Sequence, residues 1–316
     1  MSLAFIFPGQ GSQAVGMGKA LADASPAARA VFAEVDEALG QPLSRLMWEG
    51  PEPELTLTEN AQPALMAVSL AVVRVLEAEH GVKLKDVAGF VAGHSLGEYS
   101  ALAAAGAFSL ADAARLLKTR GRAMQLATPV GTGAMAALLG LDFPEAAAVA
   151  EAAAQGEICQ AANDNAPGQV VVSGHKAAVE RAVALARDRG AKRAVMLQVS
   201  APFHCALMEP AAKVMAEALA GIPMRPPTVP VFANVLAAPL SDPGGIREAL
   251  VRQVTSTVRW RESMAAMAAR GVKLFCEAGS GKVLSGLVKR TAPEAQALAL
   301  GGPEDIARTA AQLKQG

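Results

Sequence analysis

The sequence predicts an α/β fold: a mostly parallel sheet flanked by helices, interrupted by a small inserted subdomain. Strand-length apolar runs alternate with segments of helical periodicity along most of the 316 residues, the order that produces parallel sheets. Between residues 134 and 199 the order becomes β-α-β-β-α-β, the ferredoxin-like arrangement. A third observation locates the chemistry. Gly93-His94-Ser95-Leu96-Gly97 follows the apolar run Val87 to Val91 and opens the small-residue segment Glu98 to Ala107. Strand, tight turn and helix are the context in which G-x-S-x-G forms a nucleophile elbow, lifting a serine hydroxyl above the sheet. The glycines let the turn close and the helix pack beneath it. An ordinary glycine-rich turn with an exposed serine is the other reading of the same stretch.

Bulk properties bound the answer. The chain is 52% hydrophobic and 18% charged, which supports a substantial core and argues against disorder. Lys+Arg and Asp+Glu both number 29, so no basic excess points to nucleic acid. Cys159, Cys205 and Cys276 are odd in number and widely spaced, which suits a reducing compartment and offers no metal-ligand spacing. Met1 to Phe7 has no charged region ahead of its apolar residues, so no signal peptide is expected. The run Ala64 to Val73 is short and interrupted by Ser69, so no membrane span is expected. A cytoplasmic protein follows.

Taken in order, Leu3 to Phe7 reads as a buried strand ending in Pro8-Gly9-Gln10-Gly11-Ser12-Gln13. Such a turn leaves backbone N–H groups free to face an anion or oxyanion. Its glycines miss the dinucleotide spacing, and a plain tight turn is equally compatible. Ala27 to Leu39 and Ala64 to Glu79 are periodic helices, the second followed by Gly81 as a C-cap. After the elbow, Ser109 and Asp112 have capping-box spacing ahead of another helix. Arg120 falls in the middle of that helix's apolar face, among Ala113, Leu116, Leu117 and Met124. A guanidinium pointing inward is costly unless it meets an anion, and its fork suits a carboxylate. A structural ion pair, or a helix broken at Gly121 that frees the side chain to reach water, would also explain it.

The insertion follows: strands Ala134 to Leu139, Glu157 to Ala162, Val170 to Ser173 and Arg193 to Val199, with helices Pro144 to Ala154 and Lys176 to Asp188. Asn165-Ala166-Pro167-Gly168 supplies a turn. The expected boundaries are 1–130 with 200–316 for the large domain and 131–199 for the insertion. Helices are expected over Ala206 to Ala220, Ile246 to Val254 and Trp260 to Ala269, and strands over Val229 to Val235, Val272 to Cys276 and Ala297 to Leu300. Gly279-Ser280-Gly281-Lys282 falls short of a phosphate loop, because Val283 stands where Ser or Thr is required. Of the four histidines, His80 and His175 sit at helix ends and read as surface residues, and His94 reads as structural. His204, in a loop after a strand and Pro202, is the best-placed base for Ser95.

Together these stretches resemble malonyl-CoA:acyl carrier protein transacylases, the acyltransferases of bacterial fatty-acid synthesis. The residues carrying the resemblance are Phe7-Pro8-Gly9-Gln10-Gly11-Ser12-Gln13, Gly93-His94-Ser95-Leu96-Gly97-Glu98-Tyr99, Thr119-Arg120-Gly121, Gly131-Thr132-Gly133-Ala134-Met135-Ala136, Asn165-Ala166-Pro167-Gly168-Gln169, Phe203-His204-Cys205 and Gly281-Lys282-Val283-Leu284. They occur in the right order over nearly the whole chain.

The resemblance implies a hydrolase-like α/β domain with a ferredoxin-like insertion, in agreement with the reading from periodicity. It implies Ser95 as acylated nucleophile, His204 as general base, the N–H groups of Gln10 and Leu96 as oxyanion hole and Arg120 as clamp for malonate's carboxylate. Gln253 is the matching position for a main-chain carbonyl that orients the histidine, and it joins Arg120 on the substrate side. The implied reaction moves a malonyl group from malonyl-CoA to the phosphopantetheine thiol of an acyl carrier protein. No cofactor, metal, nucleic acid or membrane is expected to take part, and a monomer is expected. Phe203 departs from the small polar residue of many bacterial members and matches malonyl-specific polyketide synthase domains, so the pathway stays open between fatty acids and polyketides. A serine thioesterase or esterase, and a non-catalytic carrier-docking subunit, are the competing readings. Lys282, Lys289 and Arg290, with Lys192 and Arg193, form the candidate basic patch for an acidic carrier.

Overall fold

The computed structural model describes residues 2–315. Met1 and Gly316, the outermost residues of the expected large domain, lie outside it. Among the described residues there are ten strands: β1 (Ser2–Phe7), β2 (Ala88–Gly93), β3 (Gly133–Leu139), β4 (Cys159–Ala166), β5 (Gln169–His175), β6 (Arg193–Met196), β7 (Val231–Ala233), β8 (Ala238–Leu240), β9 (Val272–Ala278) and β10 (Gln296–Leu300). They form a six-stranded sheet ordered β10-β9-β1-β2-β7-β8 and a four-stranded sheet ordered β4-β5-β3-β6.

In the large sheet every pairing is parallel except β7 with β8. β1 sits in the middle, and Leu3 to Phe7 are all buried. Helices cover both faces, which is why the strand reads as a continuous apolar run rather than an alternating one. β8 was not expected; it is a half-buried three-residue edge containing Pro239, a residue tolerated at sheet edges. β7 is shorter than the expected Val229 to Val235.

The small sheet is antiparallel throughout, and its strand order is the one a β-α-β-β-α-β chain generates. Its helices, Phe143–Ala154 and Lys176–Asp188, pack over an apolar core that includes Leu138, Val149, Val172 and Val179. β6 stops at Met196, short of the expected Val199. Leu197 N still donates to Met135 O at 2.8 Å, after which residues 198–200 are exposed and leave the sheet. β4 continues through Asn163, Asp164 and Asn165, where a turn was expected to begin. The polar residues are accommodated because β4 shifts register twice against β5, while Asp164 N donates to Val258 O and Val258 N to Ala162 O, each at 2.9 Å. That bridge joins the small sheet to the large part of the chain.

Helix Thr58–His80 starts six residues before the expected Ala64 and ends at Gly81, which takes the left-handed C-cap conformation at φ 64°. Its 18-residue apolar window, of mean hydropathy 1.4, is long enough to cross a membrane, but 83% of it is buried inside this fold. Helix Leu110–Leu126 packs across it and is capped by Ser109, whose Oγ accepts from Asp112 N at 3.0 Å. The helix does not break at Gly121. That glycine is instead the crossing point: a Cβ there would lie 2.5 Å from Thr58 O. The close crossing fixes Arg120 inside the protein.

Candidate active site

Ser95 joins β2 to helix Gly97–Ala104 in left-handed backbone, at φ 54°. So tight a turn leaves no room for side chains on its flanks: a Cβ on Gly93 would lie 1.8 Å from Gly97 O, and one on Gly97 2.3 Å from Phe7 O. Asn234, just past β7, holds the elbow. Its Oδ1 accepts from Ser95 N at 2.8 Å and its Nδ2 donates to Gly93 O at 2.7 Å.

Two groups meet at the serine hydroxyl, the His204 imidazole and the Arg120 guanidinium. Ser95 Oγ lies 2.7 Å from His204 Nε2. On the far side of the ring, His204 Nδ1 lies 2.8 Å from Gln253 O; a carbonyl can only accept, so Nδ1 carries the proton and Nε2 is free to take one. His204 is 4% exposed. Burial first, and then the Arg120 charge, lower its pKa to about 3, which keeps the imidazole neutral.

Arg120 is 1% exposed and lies in the face of its helix that the sequence marked as apolar. Its Nη1 donates to Gln62 Oε1 at 2.8 Å, and its Nη2 to Gln253 Oε1 at 2.8 Å and to Ser95 Oγ at 3.1 Å. Its Cζ stands 5.6 Å from the Tyr99 ring centre. Nε has no acceptor among the described residues. The guanidinium is thus held by neutral oxygens through three of its five N–H donors, with Nε–H and one Nη1 hydrogen left over.

The loop after β1 faces the same point. Gln10 and Leu96 line a cavity of about 350 Å3 together with Ser95, Arg120, Phe203 and His204. Among the described residues neither the Gln10 N–H nor the Leu96 N–H finds a protein acceptor. The failed phosphate-loop stretch braces this loop. Ser280 Oγ donates to Ser12 O at 2.7 Å, and a Cβ on Gly279 would lie 2.9 Å from the Pro8 ring. Chemically, the arrangement can move a proton from Ser95 Oγ to His204, and it offers N–H donors and a cation to an acyl group held at that oxygen.

Every residue singled out for the site therefore lines one cleft or supports it, Gln253 doing so twice, through its carbonyl to His204 and its side chain to Arg120. His94, half-buried, bonds Asn165 Oδ1 at 2.8 Å and packs on Trp260, away from the hydroxyl. His80 and His175 differ from expectation in being half-buried, and His175 Nδ1 accepts from Ile158 N at 2.9 Å. Lys192, Arg193, Lys282, Lys289 and Arg290 are all exposed, and Arg290 also donates to Gln169 Oε1 and Pro167 O.

Sequence reasoning gave no role to Gln62, Asn234 or Glu98. Gln62 carried a readable signal, because it extends the apolar stripe of Leu65, Val68 and Val72 by one turn and is a polar residue where none belongs. Glu98 is 1% exposed, and its Oε2 accepts from Gln253 Nε2 at 2.8 Å and from Asn234 N at 3.1 Å. Nothing in the local pattern of a helix's first turn announces that burial.

Comparison with known proteins agrees with this geometry. Residues 4–305 match the acyl transferase domain family. The chain is 49% identical over 304 residues to the malonyl CoA-acyl carrier protein transacylase of Escherichia coli strain K12, covering 96% of this chain and 97% of that one. The crystal structure of acyl-carrier-protein-S-malonyltransferase from Bartonella henselae superimposes with a TM-score of 0.97 at 54% identity, covering 99% of this chain and all of that one (100%). A type II PKS acyl-carrier protein in complex with its malonyl-transacylase supplies a third match, with TM-score 0.95, 44% identity and coverage of 99% and 100%. The mostly parallel sheet with its small antiparallel insertion is the architecture of those structures, and the chain belongs to the acyl transferase domain family.

Proposed function

We propose that this protein transfers a malonyl group from malonyl-CoA, through an acyl-Ser95 intermediate, to the phosphopantetheine thiol of an acyl carrier protein in fatty acid biosynthesis. The observation that carries the reading is the convergence on one oxygen: imidazole at 2.7 Å and guanidinium at 3.1 Å from Ser95 Oγ. His204 Nε2 takes the hydroxyl proton as Ser95 attacks the thioester carbonyl, and the Gln253 carbonyl stabilises the imidazolium through Nδ1–H. The tetrahedral oxyanion is received by the N–H groups of Gln10 and Leu96, about 3 kcal/mol per donor in comparable sites. Coenzyme A departs with the proton from His204, and the carrier thiol repeats the sequence in reverse. Arg120 receives the free carboxylate of the acyl group and so selects malonyl over acetyl, since an unpaired buried charge penalises the wrong substrate.

Residues 131–199 serve as one wall of the cleft against the body formed by 1–130 and 200–316. The exposed lysines Lys192, Lys282 and Lys289 provide an acidic carrier with a landing area. We place the protein in the cytoplasm as a monomer, working without a cofactor. The relative solved with a polyketide carrier, and Phe203 at the cleft, support a second reading, malonyl supply to a polyketide pathway.

Intact-mass analysis after mixing with malonyl-CoA tests the chemistry. A single malonyl adduct is expected and is lost in Ser95→Ala; an unmodified wild-type protein would sink the proposal. Release of that acyl group to water rather than to a carrier thiol would make the protein a thioesterase.

A further inference from the structure

We propose that Glu98 is the counter-charge of Arg120 in the empty site, acting through the Gln253 amide, and that it takes up a proton when an acyl group bearing a carboxylate occupies the guanidinium. This rests on the malonyl reading above and adds a charge-balancing residue to it.

No carboxylate contacts Arg120 directly among the described residues; its acceptors are two amide oxygens and a hydroxyl. Glu98 stands one amide away. Gln253 accepts from Arg120 with Oε1 and donates to Glu98 Oε2 with Nε2, both at 2.8 Å, and the same Nε2 lies 3.0 Å from Ser95 O. The planar amide therefore forms a relay of carboxylate, amide and guanidinium that touches the elbow. Asn234 completes it, joining Glu98 through its backbone N and the elbow through its side chain.

After burial and the bonds from Gln253 and Asn234, Arg120 is the one charge that acts on Glu98. Tyr99 neighbours it on its own helix, and His204 stands beyond Arg120 and Gln253. Strands β1, β2 and β7 carry no titratable residue, and neither does the buried face of helix Thr58–His80. Burial raises the Glu98 pKa to about 7, opposed by the bonds from Gln253 and Asn234 and by the Arg120 charge. A carboxylate delivered to Arg120 cancels the positive charge that favours the ionised form. Two buried anions then share one cation, and one of them protonates. Glu98 is the one already poised to do so, taking a proton from solvent while its other oxygen continues to accept from Gln253 and Asn234. An acetyl group brings no carboxylate and triggers no uptake.

Calorimetry of malonyl-CoA and acetyl-CoA binding to Ser95→Ala, in buffers of differing ionisation enthalpy at pH 8, reads the proton directly. The expected result is about one more proton taken up with malonyl-CoA than with acetyl-CoA. In Ser95→Ala/Glu98→Gln the difference vanishes, and malonyl-CoA binds on the order of tenfold more tightly at that pH, the factor that corresponds to one pKa unit. Equal uptake for both thioesters, or a difference that survives Glu98→Gln, overturns the proposal. An infrared difference spectrum of the wild-type protein guards against a variant that fails to fold: malonylation must produce a protonated-carboxyl band, and its absence also overturns the proposal. A wild-type protein that forms no malonyl adduct at all refutes the malonyl reading first and this inference with it.

Discussion

Arg261 and Arg120 both hold buried partners, and they are handled in opposite ways. Arg261 meets Asp164 directly, with Nε at 3.0 Å from both carboxylate oxygens and Nη2 at 2.8 Å from one of them. Asp164 is 1% and Arg261 34% exposed, and the pair ties β4 of the small sheet to helix Trp260–Ala269. Arg120 is more deeply buried, yet it is given amide and hydroxyl oxygens and keeps an idle Nε. A direct carboxylate would neutralise the guanidinium and leave little net charge for a ligand. Neutral acceptors orient a guanidinium while leaving most of its charge on offer. The first arrangement builds a joint; the second builds a receptor.

Removing each charge should separate the two roles. Arg120→Ala is expected to lower kcat/KM for malonyl transfer by about 100- to 1,000-fold, the 3–4 kcal/mol typical of a broken buried charge pair, while acetyl transfer changes far less. Side-by-side assays with the two thioesters check this, and equal losses would refute the clamp. Asp164→Ala should do the reverse. Thermal or urea unfolding is expected to show a loss of about 2 kcal/mol, moderated because Arg261 can turn to water, with malonyl transfer nearly intact. Gly121→Ala probes the crossing that seats Arg120; a methyl group pressed against Thr58 O should cost about 2 kcal/mol of stability and also weaken malonyl selection.

Acidity sharpens the contrast, because Arg120 also acts on His204. With a folded-state pKa of about 3 against an ordinary 6.5, the histidine is neutral, and competent as a base, well below neutral pH. Single-turnover acylation should therefore show no acid limb near pH 6.5; a limb there would contradict the buried, Arg120-shadowed imidazole. In stability the sign is fixed by linkage. The unfolded chain binds the proton first, so the contribution of His204 is complete above pH 6.5 and is lost as pH falls toward 3. Glu98 runs the other way, its contribution being complete below its ordinary pKa of 4.5 and lost as pH rises through about 7. The smallest expected effect is at the far end of Arg120's helix. Ser109→Ala removes the N-cap and should cost about 1 kcal/mol in unfolding without changing selectivity.

Much of this was legible from the chain alone because its signals are local. A strand, two glycines and a small-residue helix announce the elbow at Ser95, and a lone cation on an apolar stripe announces Arg120. The strand order of the insertion followed from periodicity. What escaped was non-local. Asn234 and Glu98 are ordinary at a strand end and in a first helical turn, and become components of the site only when the chain folds back across a separation of 136 positions to bring them together. The ends of β4 and β6 escaped for the same reason. The bridge to Val258 and the departure of residues 198–200 are set by tertiary partners that no window of sequence contains.

The position of β1 has a consequence for how the protein is made. β1 lies in the middle of the large sheet, yet its two neighbours are residues 88–93 and 272–278. The loop it carries is braced by Ser280. A nascent chain must therefore hold β1 without its second neighbour until residues 272–278 have been made. Reactivity toward a thioester cannot precede that moment.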